Sequence, residues 1–181
     1  RTYRGVLTFG RSPRTYWSDS MRRRRRLDGP VTTVSPVSRL AGRTAIVTGA
    51  GQGVGEGIAR SLAGNGARVV IAARRFETGE PVAQAIRTLG GEAVCIVTDV
   101  TDRDSMEHCV VQTVDQFGGL EIMVHNAFRG GRPHRLEDLD DELWSQNSRT
   151  AVWGSYYSAV LAFPYLCAAG NRGRLIFITS P

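Results

Sequence analysis

Residues 44–59, TAIVTGAGQGVGEGIA, constrain this chain more than any other stretch. A short apolar run rich in β-branched residues breaks into glycines and resumes with helical spacing, the pattern of a strand, a tight turn and a helix. Gly49, Gly51, Gly53 and Gly55 permit positive φ and clear side chains from the turn. A phosphate can then approach the N–H groups that open the following helix, where the helix dipole favours negative charge. The literal G-x-G-x-x-G spacing is absent, and a G-x-x-x-x-G-K-[ST] loop is excluded because the chain contains no Lys. Taken alone, Thr48-Gly49-x-x-x-Gly53-x-Gly55 fits either a dinucleotide cradle or a structural corner between strand and helix.

The residues beyond the turn narrow the choice. From Arg43 onward strand and helix patterns alternate, with strands expected at 44–48, 68–73, 93–98, 120–125 and 174–179. Helices are expected at 53–63, at 77–89, after a cap at Thr101 or Asp102, and then as two stretches at 140–147 and 150–169, the last kinked by Pro164. A polar loop to about Asp138 precedes them. Near-continuous apolar strands between helices imply an α/β fold, a doubly wound parallel sheet covered on both faces. Ligands of such sheets sit at the carboxyl ends of the strands. The glycine turn, Arg74, Asp99, Asn126 and Ser180 all follow a strand, so they should converge.

The net charge of +6 suggests a polyanionic partner until it is divided along the chain. Residues 1–43 carry 11 Arg and 2 acids, whereas residues 44–181 carry 12 Arg and 15 acids. The globular part is mildly acidic, which argues against a nucleic-acid-binding face. Residues 1–40, with Pro13, Pro30, Pro36 and the run from Arg22 to Arg26, read as a disordered Arg-rich leader, and residues 41–181 as the folded domain. No apolar stretch approaches the roughly 20 residues that cross a bilayer. Cys95, Cys109 and Cys167 are widely spaced among apolar neighbours, as expected of buried thiols in a reducing cytoplasm. Neither they nor His108, His125 and His134 show metal-ligand spacing.

These features together resemble the short-chain dehydrogenase/reductase family, over residues 40–181. The matches are the TGAGQGVG turn, Asp99-Val100, Asn126-Ala127, Trp144 to Gly154, and Ile178-Thr179-Ser180. The resemblance implies a Rossmann-like domain that holds NADP, or NAD, and moves a hydride between the nicotinamide and a carbonyl or secondary alcohol. It implies that Gly49, Gly51, Gln52, Gly53, Val54 and Gly55 shape the pyrophosphate turn, with Thr48 holding it to a neighbouring strand. Asp99 would accept from the adenine amino group beside the Val100 backbone. As a bare sequence position, Asp99 reads first as a turn or helix-cap acid before Thr101-Asp102, and the adenine role comes only from the constellation around it. Asn126 and Ala127 would lie against the adenosine side. Ser180 would hydrogen-bond the substrate oxygen.

Coenzyme choice falls at the end of the second strand, where an acid would bind the ribose hydroxyls. Here Ala73 is followed by Arg74 and Arg75, and a guanidinium can pair with a 2′-phosphate, which favours NADP.

The chain also departs from the family pattern. Phe128 replaces a glycine, and His125 replaces an asparagine, as a packed substitute. Ala151 stands where the long helix would carry an asparagine. The family's Tyr and Lys pair is not present after Ser180, and Tyr156, Tyr157 and Tyr165 read as core or subunit-contact aromatics. The expectation is therefore a sheet truncated after its fifth strand. The 181-residue chain alone should be inactive, belonging to an enzyme that is a homo-oligomer when full length. A non-catalytic nucleotide-binding or scaffolding protein is the alternative.

Overall fold

The computed structural model describes residues 38–128 and 140–179. The leader, the loop ahead of Asp140, and Ser180 therefore lie outside the described residues. The strands are β1 (Thr44–Thr48), β2 (Arg68–Ala73), β3 (Glu92–Val97), β4 (Ile122–His125) and β5 (Arg174–Phe177). The helices are α1 (Gly53–Gly64), α2 (Phe76–Thr88), α3 (Arg103–Phe117), α4 (Asp141–Ser148) and α5 (Gly154–Ala168). All strand pairs are parallel, and the sheet order is β3-β2-β1-β4-β5. The order reverses at β1, which creates a switch point between β1 and β4.

Side chains on a strand alternate faces, and the core divides accordingly. Ala45 and Val47 of β1, with Val69 and Ile71 of β2, pack under Ala59 and Ala63 of α1 and Val82, Ala83 and Ile86 of α2. Ile46, Val70 and Met123 point the other way, toward Met106 and Val110 of α3 and Ala162 and Leu166 of α5. Apolar burial on both faces is what a near-continuous aliphatic strand requires. The fold is the doubly wound, Rossmann-like sheet that the alternation implied.

Three local details refine the sequence reading. Asp102, not Thr101, caps α3, its side chain accepting from Asp104 N at 3.1 Å. The two expected helical stretches are one continuous run, because a π turn at Arg149–Trp153 joins α4 to α5. There the Gly154 N–H bonds the Arg149 carbonyl, five residues back, so one extra residue fits without breaking the helix. Helix α5 also continues through Pro164, which is exposed on the outer face, where water can take the carbonyl left without a donor.

At the amino end of the sheet, buried Glu121 accepts from the Thr44 N–H at 2.7 Å and lies 3.5 Å from Arg172. That end is closed by side chains. The carboxyl end is open.

Candidate active site

At the carboxyl ends of the strands lies a cleft of about 1080 Å³. Its β1–β2 end is built by backbone. After β1 the Gly49 N–H donates to the Ala72 carbonyl at 2.8 Å and the residue takes φ of 65°. A Cβ on Gly49 would stand 2.9 Å from the Ala127 Cα, and one on Gly55 would stand 2.4 Å from both the Gly49 carbonyl oxygen and Asn126 Nδ2. These glycines are required by close approach, and of the four only Gly49 and Gly53 use positive φ. Gly51 is pressed against Thr78 at the head of α2.

Gln52 precedes α1 without a side-chain cap, so the first-turn donors of that helix are left for another acceptor. Gln52, Gly53 and Val54 line the cleft beside them. An uncapped helix start, glycines that keep side chains away and an open cleft fit a pyrophosphate.

Thr48 lies beneath the cleft as the hub of the β1–β4 junction. Its Oγ1 accepts the N–H groups of Asn126 at 3.0 Å and Ala127 at 3.1 Å. Asn126 returns the tie, donating from Nδ2 to the carbonyls of Thr48 at 3.1 Å and Gly49 at 3.4 Å. Asn126 and Ala127 thereby reach the cleft with their backbone fixed.

Arg74 and Arg75 follow β2 on the exposed rim, and no acid stands between Ala73 and the start of α2. Asp99 forms a local turn and lies on the cleft wall. Its Oδ1 accepts from Thr101 N at 2.9 Å and Thr101 Oγ1 at 2.8 Å, a local turn, while the half-buried residue also lines the cleft beside buried Val100. The second carboxylate oxygen remains available to a ligand donor.

The β4–β5 end is built by side chains. His125 is 3% exposed, its Nδ1 lying 3.0 Å from Ser158 Oγ and 3.4 Å from Thr48 Oγ1. Burial pushes the imidazole below its ordinary range, and the Thr150 carbonyl works against that shift. Phe128, 73% exposed, stands on the rim. Thr150, Ala151 and Ser155 of the long helix, Phe177 at the end of β5, and Ile178 and Thr179 just after it complete the wall. Of these, Thr150 and Ser155 had no sequence signal, because their facing depends on the π turn. Thr78 was missed for a similar reason, being placed by its contact with Gly51. Ser180 follows Thr179, one residue beyond the described wall.

Tyr157 and Tyr165 pack partly buried against the α3–α5 core, and Tyr156 is exposed beside Trp153. Of the three thiols expected to be buried only Cys109 is, while Cys95 is half-buried and Cys167 is exposed on the outer side of α5. Burial holds the Cys109 thiol up at about 11, so it stays protonated in the core. Among the described residues no His, Cys, Asp and Glu side chains gather as a metal site, and no helix is long and apolar enough to cross a membrane.

Residues 43–181 match the family described as short chain dehydrogenase. The chain is 34% identical over 146 residues to L-rhamnose 1-dehydrogenase (NAD(P)(+)) of Azotobacter vinelandii, covering 78% of this chain and 56% of that protein. It is 32% identical to human dehydrogenase/reductase SDR family member 1, covering 77% of this chain and 47% of the relative. A short-chain type dehydrogenase/reductase from Mycobacterium marinum superposes with a TM-score of 0.74 at 31% identity, over 80% of this chain and 58% of that one. A metagenomic short-chain oxidoreductase in complex with NADP does so at 0.72 and 32%, over 78% and 63%. The chain thus spans about half the length of these two curated relatives. A matching family model over most of the chain, a matching sheet, and the convergence of its motif residues on one cleft lead to one conclusion: this chain belongs to the short-chain dehydrogenase/reductase family.

Proposed function

We propose that the protein is an NADP-preferring oxidoreductase that transfers a hydride between the nicotinamide coenzyme and a carbonyl compound or secondary alcohol. The observation that carries the coenzyme preference is Ala73 followed by Arg74 and Arg75 on the cleft rim, where an acid would bind ribose hydroxyls and a guanidinium pairs with a 2′-phosphate. A relative named for NAD(P)(+) and a structural neighbour bound to NADP support the same reading.

Gly49, Gly51, Gly53 and Gly55, with the first-turn donors of α1, hold the pyrophosphate, and Thr48 and Asn126 keep that turn in place. Asp99 and Val100 meet the adenine, and Asn126 and Ala127 the adenosine side. Ser180 orients the substrate oxygen. The coenzyme supplies the hydride chemistry, and the protein positions the substrate and manages its proton.

A chain with no Lys that spans about half of its relatives supports placing the proton-donating pair outside residues 1–181, so that these residues alone do not turn over substrate. The small-molecule site is completed there. The exposed aromatic face of α5 supports assembly of the full-length protein as a homo-oligomer. Three free thiols fit a reducing, cytoplasmic setting.

The test is titration of the native protein with NADPH and NADH. Loss of a charge-assisted bond worth roughly 1.5–3 kcal/mol means that Arg74→Ala weakens NADPH about ten- to a hundredfold and NADH little. Equal affinities in the unmutated protein overturn the preference. A second reading, a non-catalytic nucleotide-binding or scaffolding protein, is favoured by Ala151 on the cleft wall and Phe128 on its rim. Coenzyme binding by the native protein without turnover of any ketone in a broad panel would establish it.

A further inference from the structure

The cleft is charged at one end only. Among the described residues that line it, the charged ones are Arg74 and Arg75 after β2 and Asp99 after β3. The β4–β5 end holds one ionisable lining residue, His125, which is 3% exposed and lies beside the Phe177 ring, their centroids 6.3 Å apart.

The polar protons at that end are already engaged. Thr150 Oγ1 donates to the Gln146 carbonyl at 3.2 Å, and Ser155 Oγ donates to the Ala151 carbonyl. Asn126 directs Nδ2 to the Thr48 and Gly49 carbonyls at 3.1 and 3.4 Å. A hydroxyl has a single proton, so one given to its own helix is not there for an anion. Thr179, beside Ser180, falls where the substrate oxygen itself is placed. What remains of the described wall is apolar: Ala151, Phe177, Ile178 and, on the rim, Phe128. A carboxylate or phosphate brought here would leave water with no cation to replace it, which is costly.

Phe128 decides the character of this end. It directly follows Asn126 and Ala127, whose N–H groups are both held by Thr48 Oγ1, so the chain that carries it is fixed to β1. Its ring is 73% exposed at the cleft mouth. An aromatic ring standing there is apolar surface that the hydrocarbon part of a ligand can cover.

We propose that Phe128 is a specificity-determining residue and that, with Ala151, Phe177 and Ile178, it makes the β4–β5 end a site for an uncharged, hydrocarbon-rich ketone or secondary alcohol, to the exclusion of carboxylate and phosphate substrates. This rests on the oxidoreductase reading, which puts the substrate oxygen at Ser180 and the rest of the substrate beside it.

The experiment compares 4-ethylacetophenone with 4-acetylbenzoate, which present the same ketone and differ by an ethyl group in place of a carboxylate. The native protein is assayed with NADPH for kcat/KM, and binding of each ketone in the presence of NADPH is measured by calorimetry. The ethyl ketone should be preferred about a hundredfold in both. Phe128→Ala should shrink that ratio about tenfold, through lost apolar contact and admitted water. Phe128→Arg, which gives the rim a cation, should raise kcat/KM for 4-acetylbenzoate about tenfold over the unmutated protein. A substitution that merely loosens the fold lowers both ketones together and leaves the ratio unchanged. A ratio near one, a preference for the carboxylate, binding of neither ketone, or a ratio that neither substitution moves overturns the proposal. Calorimetry that shows the preference without oxidation of NADPH counts against the oxidoreductase reading alone.

Discussion

The two flanks of β1 are built in different ways. On the β2 side, β2 is buried along almost its whole length between α1–α2 and α3, and the ligand-facing surface is backbone held where a Cβ would collide. On the β4 side, β5 is exposed along its whole length, and Val152, Trp153, Tyr156 and Phe163 of the long helix face outward. The cleft wall there is made by side chains, His125, Thr150, Ser155 and Phe177 among them. A site made of backbone is enforced by sterics and written in glycines. A site made of side chains depends on helix register and on whatever covers the surface behind it.

The largest test of the difference compares two isoleucines. Ile71 in β2 is fully buried, and Ile71→Ala should cost about 2–5 kcal/mol in denaturant-measured stability through lost burial and a cavity. Ile176 in β5 is 41% exposed, and Ile176→Ala in the 181-residue chain should cost less than about 1 kcal/mol. Equal losses would erase the asymmetry. A large loss at Ile176 that grows with protein concentration would show that a second copy covers this flank.

A smaller effect separates two glycines of the turn. Gly55→Ala forces a methyl against the Gly49 carbonyl and Asn126, so a loss of about 1–3 kcal/mol and weakened NADPH binding are expected. Gly53 has open space around it and only its φ of 60° to protect, so Gly53→Ala should cost roughly 1–2 kcal/mol. Thermal melts with NADPH titration measure both. If Gly53→Ala costs more than Gly55→Ala, conformation and not close approach governs the turn.

Legibility in the sequence divides along the same line. Strand and helix order was legible because each apolar run is bounded by glycines or an Asp cap and keeps one period. The glycine turn, Asp99, Asn126 and the arginines after β2 were legible because each follows a strand, and parallel packing brings strand ends to one edge. The merging of α4 and α5 was not, since one extra residue in a helix leaves no break in hydrophobic pattern. The facing of Thr150 and Ser155 was hidden with it. His125 was read as a packed substitute, which its burial fits, but its bonds to Ser158 and Thr48 join residues 33 and 77 positions away. No local pattern encodes such a contact.

The smallest expected effect is a pH dependence confined to the β4 flank. The groups that pack on His125 are uncharged: Thr48 from β1, Phe177 from β5, and the Thr150 carbonyl, Gly154 and Ser158 from the long helix. Burial therefore lowers the folded-state value below the ordinary 6.5 without a charge to oppose it. The unfolded chain binds the proton more readily, so folding is favoured fully above about pH 6.5 and loses that contribution as pH falls toward the folded value. Melting temperature should drop as pH falls below about 6.5, and His125→Asn should flatten that drop. Amide exchange locates the effect: acid should loosen β4, β5 and the π turn while β2 keeps its protection. Loss spread evenly over the sheet, or the same slope in the Asn variant, would mean that His125 does not set the acid response and that the two flanks respond to pH as one body.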